Sequence, residues 1–214
     1  MTPPQDQLRA VVALTPDTPW TLALAQIQAT LDSAPGGQQV RWSKAAQIHL
    51  TLRFLGHISP AQSHEAIGQL QLAGPKFPPF SLELSALDCF PNPRRPRIIW
   101  VGLQGAISSL LALRHSIAQA LSRLGDHQED KPFHPHLTLG RVKPGIRRPE
   151  LVGDLLRNAS LPRLEPWQVR SVHLMRSELN PGGAIHSVLF TQPLGVAPQP
   201  TRSNNPVNKD LQSP

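Results

Sequence analysis

The tetrapeptide His-Leu-Thr-Leu stands twice in this chain, at residues 49–52 and again at 136–139, 87 residues apart. Around each copy the same order of elements can be read. In the first half, residues 8–14 form a strand. A helix follows, with Thr18 at its N-cap, Pro19 at the first helical position and Gly36-Gly37 beyond its end. Residues 47–55 read as a strand, Ser59-Pro60 open a second helix that runs to about Leu72, and 80–87 alternate apolar and polar residues as a strand does. After a Pro/Arg-rich loop at 90–96 the order returns: strand 97–103, helix 106–124 closed by Gly125, strand 136–142, helix 149–157 and strand 168–174. One further strand, 187–193, follows the turn Asn180-Pro181-Gly182-Gly183. A chain built this way must set its two tetrapeptides in equivalent strands. The elements read as an α+β repeat: strand, helix, strand, helix, strand, twice. The 24 prolines cut the elements short and load the loops.

On a strand, side chains alternate between faces. His49 and Thr51 therefore face one way and Leu50 and Leu52 the other, as do His136 and Thr138 against Leu137 and Leu139. The leucines supply core, and the two His/Thr pairs are left to line one groove. That set suits phosphodiester cleavage without a metal, which needs one proton taken from an attacking water and one delivered to a leaving oxygen. Histidine titrates near pH 6.5, so a neutral and a protonated imidazole can coexist near neutrality. Each proton transfer is typically worth about 10²–10⁴-fold. Threonine hydroxyls can bond the phosphoryl oxygens, and an arginine can meet the charge that builds there. Arg53 has the parity of His49. Arg141 lies out of step with His136 unless Gly140 permits a bulge that re-aims it.

Composition narrows the partners. The 214 residues carry a net charge of +7, which favours anionic ligands such as nucleic acid or phosphates. A single cysteine, Cys89, excludes an intrachain disulfide and a multi-cysteine zinc site, and no His/Cys/carboxylate spacing suggests a metal or other cofactor. No apolar run reaches membrane-spanning length, and the N-terminus lacks a basic region followed by an apolar one. The plain reading is a soluble cytoplasmic protein with one domain over residues 1–195. The Pro/Asn/Ser/Gln-rich remainder, 196–214, is expected to be a disordered tail.

The long stretches Gln47-Ile48-His49-Leu50-Thr51-Leu52-Arg53-Phe54-Leu55-Gly56 and Phe133-His134-Pro135-His136-Leu137-Thr138-Leu139-Gly140-Arg141, with Pro93-Arg94 through Trp100-Val101-Gly102 between them, resemble the RNA 2′,3′-cyclic phosphodiesterases, also called 2′–5′ RNA ligases, of the two-histidine phosphoesterases. The resemblance runs from about Leu8 to Leu194. It implies a bilobal α+β fold of two pseudo-symmetric halves, with antiparallel sheets lining a central cleft, helices outside and the active site between the lobes. It also implies His49 as proton donor to the leaving 3′ oxygen and His136 as the base that activates water. Thr51, Thr138 and Arg141 would bind the phosphate, with Arg53 as a further candidate. The substrates implied are RNA ends or nucleotides bearing a 2′,3′-cyclic phosphate, handled by a monomer without cofactor, with 2′–5′ ligation as the reverse reaction. One departure is visible: family members often carry a tyrosine after the last glycine turn, and this chain has Ile185-His186 there and no tyrosine anywhere.

Each residue also has a plainer reading. A strand histidine is ordinarily satisfied by a backbone carbonyl, and threonine favours any strand; the second copy in a matching context tips the balance toward catalysis. A module that binds RNA or nucleotides in the same cleft without turnover is the alternative to an enzyme. The other seven histidines, His173 and His186 on or near late strands among them, read as non-catalytic. Arg94, Arg95 and Arg97 read as a solvated loop, with an RNA clamp as the other option. Phe54, Phe90, Phe133 and Trp100 read as core before base-stacking platforms.

Overall fold

The computed structural model describes residues 7–125, 132–180 and 183–195. The elements in chain order are β1 (Leu8–Leu14), α1 (Thr18–Ser33), β2 (Val40–Trp42), β3 (Leu50–Ile58), α2 (Pro60–Ala73), β4 (Phe80–Phe90), β5 (Ile98–Gly105), α3 (Ile107–Ala120), β6 (His136–Val142), α4 (Pro149–Asn158), β7 (Trp167–Val169), β8 (Ser171–Asn180) and β9 (Gly183–Pro193). The helix starts follow local chemistry. Asp17, one residue before the expected cap, accepts the N–H of Trp20 at 3.1 Å. Ser59 and Gln62 form a reciprocal capping box, each side chain bonded to the other's backbone N–H, with Pro60 at the first helical position.

Two antiparallel sheets carry the site. The first has the strand order β3-β1-β8-β9 and the second β2-β6-β5-β4-β7. The repeat is visible in the pairing: Ala13 lies opposite Thr51, and Trp100 lies opposite Thr138, the same offset as the histidines. The last long strand of each half, however, pairs inside the other half's sheet. β4 lies beside β5, and β8 beside β1.

The outward faces and the helices share one core. Ala10, Val12, Leu14, Leu50, Leu52, Leu137, Leu139, Ile99 and Val101 join Leu24 of α1, Leu70 of α2, Leu113 of α3 and Val152 of α4 in a single buried cluster. The other face of β1 is separate: Val11 and Ala13 form a small cluster with Met175 of β8. Both expected tetrapeptide leucine pairs are thus core, and the His/Thr face is turned away from it.

The boundaries differ from the sequence expectations in instructive places. A short 3-10 turn, Ala45–Gln47, precedes β3, so the strand begins at Leu50 and His49 sits at its threshold. The strand expected at 168–174 is two pieces, β7 and the longer β8, and β9 starts at Gly183. β2 was not expected; three residues, Val-Arg-Trp, are too few to show a period. The tail expected at 196–214 lies outside the described residues. Among the described residues no helix is long and apolar enough to cross a membrane.

Candidate active site

His49 and His136 are held the same way. Nδ1 of His49 donates to the carbonyl of Gln47 at 2.9 Å, and Nδ1 of His136 donates to the carbonyl of His134 at 2.6 Å. A carbonyl only accepts, so each Nδ1 carries the proton and each Nε2 is left for chemistry. Both imidazoles titrate below the ordinary histidine value, chiefly because burial penalises the charged form; the backbone acceptors pull the other way. His136 is near enough to oppose a second positive charge on His49. The two rings from separate sheets therefore share one electrostatic environment.

Their walls differ. Phe90 stands edge-on to His136 with ring centroids 5.3 Å apart, and Trp100 lies 5.7 Å away. Phe90 and Trp100 also pack on each other at 5.0 Å. His49 has His186 instead, edge-to-face at 4.4 Å. The backbone N–H of His186 donates to the side-chain carbonyl of Gln47, whose main-chain carbonyl already holds His49. Gln47 thus ties the start of β9 to the His49 ring. Burial, His49 and Arg9 push the His186 imidazole down to about 4, so it is neutral at physiological pH. The contact between His186 and His49 is not legible in the sequence, because β9 and β3 sit at opposite edges of their sheet.

Thr138 and Arg141 lie on one face of β6 although they are three residues apart. Trp100 pairs with Thr138 and Ile98 with Arg141, while Leu139 is the extra residue of a bulge. The parity objection to Arg141 is removed by that bulge. On β3 the matching bulge acts against Arg53. Thr51 pairs with Ala13, but Arg53 pairs with Val12, whose side chain belongs to the main core. Arg53 therefore does not keep the parity of His49, and it leaves the cleft face. Phe54, opposite Val11, takes the place that Arg141 holds in the other half, and it is 40% exposed. The sequence reading rests on a regular strand, and a bulge leaves no mark in a Leu-rich run.

His173 is buried beneath the same face, across from Ala13, and is fully engaged by Thr15, Ser171 and Thr191 at 3.0–3.1 Å. Among the described residues no cluster of histidine, cysteine and carboxylate side chains has the arrangement of a metal site.

A model of the 2′-5′ RNA ligase superfamily matches residues 9–181. This chain belongs to that superfamily. The RNA 2′,3′-cyclic phosphodiesterase of Aeropyrum pernix is 38% identical over 143 residues, which covers 67% of this chain and 80% of that protein. That of Aquifex aeolicus is 31% identical over 150 residues, covering 70% and 79%. Among solved structures, TT0787 of Thermus thermophilus superposes with a TM-score of 0.70 at 26% identity, covering 88% of this chain and 99% of that one. E. coli LigT complexed with 3′-AMP gives 0.68 at 22% identity over 88% and 98% of the two chains, a likeness of fold. The superfamily's two-sheet α+β architecture is thus the one described above.

Proposed function

We propose that this protein is an RNA 2′,3′-cyclic phosphodiesterase, which opens a terminal 2′,3′-cyclic phosphate to a 2′-phosphate by two-histidine acid–base catalysis. One observation carries the reading above the rest: both imidazoles, from different sheets, give Nδ1 to the carbonyl two residues back and keep Nε2 for the reaction. Water attacks phosphorus while His136 takes its proton, the bond from phosphorus to the 3′ oxygen breaks, and His49 protonates that oxygen. The products are a 2′-phosphomonoester and a free 3′ hydroxyl, and the histidines exchange protons with solvent to reset. Thr51 and Thr138 donate to the phosphoryl oxygens. Arg141 meets the charge that grows on them. With a 5′ hydroxyl in place of water, the same pair makes a 2′–5′ ligation: His136 takes the hydroxyl proton, the oxygen bonds to phosphorus, the bond to the 3′ oxygen breaks and His49 protonates it.

The names of the relatives favour RNA ends, and the positive charge suits an anionic partner of that kind. We assign the protein to the cytoplasm as a monomer that uses no cofactor. The test is incubation with 2′,3′-cyclic AMP in EDTA, with products separated by chromatography. Turnover to 2′-AMP is expected, lost by about 10²-fold or more in His49→Ala and in His136→Ala. Binding without turnover would make the protein a nucleotide-binding module. Unchanged rates in the two variants would remove the histidines from the mechanism.

A further inference from the structure

Gln28 is one of the few buried polar side chains in the protein, and it sits on α1, behind the second sheet rather than in the cleft. Its Nε2 donates to two carbonyls at once, Leu139 O and Ser43 O, each at 2.7 Å. Leu139 is the bulged residue of β6. The bulge interrupts the ladder toward β5, while on the other side the Leu139 carbonyl continues the register of β2 and β6 one step past Trp42 and Gly140. Here two donors converge on it, Gln28 from the helix and the Ser43 N–H from the end of β2 at 2.8 Å. The next residue, Gly140, is enclosed from the other side: a Cβ there would lie 2.7 Å from Val40 and 3.0 Å from the Arg41 carbonyl and the Trp42 ring.

We propose that Gln28 is a positioning residue for Arg141, fixing the Leu139 bulge that turns the guanidinium onto the face of His136 and Thr138. The inference rests on Arg141 binding substrate phosphate, as in the function proposed above. Without the bulge, strict alternation would place Arg141 on the leucine side of β6. The bulge is therefore what makes a phosphate ligand of this arginine, and a buried amide with two bonds is what holds it. Gln28 touches no reacting atom. A glutamine in the middle of an otherwise apolar helix face, flanked by buried Leu24, Ile27 and Leu31, has no packing reason to be there.

A double-mutant cycle tests this with Gln28→Met, which keeps the length and loses both donors, and Arg141→Ala, assayed on 2′,3′-cyclic AMP. Gln28→Met is expected to lower kcat/KM about 10-fold in the wild-type background and less than about 2-fold when Arg141 is already gone. The bell-shaped pH profile should keep its limbs, because neither histidine is disturbed. Equal losses in both backgrounds would overturn the proposal, as would an unchanged rate in the single variant. Should Gln28→Met fold poorly, Gln28→Leu and binding of 2′-AMP to the folded fraction give the same comparison. A different failure, Arg141→Ala at wild-type rate, would instead strike the phosphate-binding role on which the inference stands.

Discussion

Arg141 and Ile98 are cross-strand partners only because Leu139 is left out of the ladder between β5 and β6. The arginine's place on the cleft face is thus a product of backbone irregularity, and it is sensitive to crowding there. Gly140→Val should push β2 away and misplace Arg141, since even a Cβ would meet Val40 at 2.7 Å. The expected loss in kcat/KM approaches that of Arg141→Ala, about 10²–10³-fold for removing a donor to developing charge. Steady-state kinetics on a cyclic nucleotide decides it; near-normal activity in Gly140→Val would show that the bulge does not aim the arginine.

A second expectation concerns pH. Both His49 and His136 titrate below 6.5 in the folded protein. The base works only above its lowered value and the acid only below its own, so kcat/KM should trace a bell. The bell should be centred on the acid side of 6.5. Because the two rings interact, the limbs belong to the pair rather than to either histidine. A rate that stays level from pH 5 to 9 is incompatible with paired imidazoles.

Stability should respond to pH with a definite sign. His49, His136, His173 and His186 all titrate below the unfolded value, His186 at about 4. The unfolded chain therefore binds more protons than the native one between 6.5 and those lowered values. Full stability is present above 6.5 and is progressively lost as pH falls toward 4. His186→Phe removes one contributor and fills the same space beside His49. It also removes Nδ1, which is buried without a hydrogen-bond partner. Thermal unfolding at pH 7 and pH 5 should show a smaller drop in Tm for the variant than for the wild type. An equal drop would mean that His186 protonates freely in the native state.

Gly125 makes a stability prediction away from the site. It follows α3 with φ of 79°, and a Cβ there would lie 1.9 Å from the Leu55 carbonyl. Gly125→Ala has both a left-handed backbone and a backbone clash to accommodate. We expect a loss of about 2 kcal/mol or more, measured by urea unfolding, with kcat nearly unchanged in the folded fraction.

The repeat is legible in the sequence because its signal is local: each His-Leu-Thr-Leu alternates faces, and each helix starts with recognisable cap and proline chemistry. Asp17 rather than Thr18 as cap is a one-residue slip within that signal. What is not legible is everything set by departures from regularity or by tertiary approach. Alternation puts Arg53 in the cleft and makes Arg141 awkward, and two bulges reverse both placements. His186 looks like one more strand histidine, and Gln28 like one more polar residue on a helix. Nothing in their neighbours in sequence says that one meets His49 across the sheet and that the other pins a carbonyl on β6.

The exchange of β4 and β8 between the two sheets has a mechanical consequence. Cut the chain between the repeats, and each fragment is left with its final strand made for the other fragment's sheet and a bare edge on its own β1 or β5. Neither piece can satisfy that edge alone. The halves can mature only as a pair, and the chain passes between the two sheets at β3 to β4 and again at β7 to β8, so the sheets carrying the two imidazoles are joined by more than a single hinge.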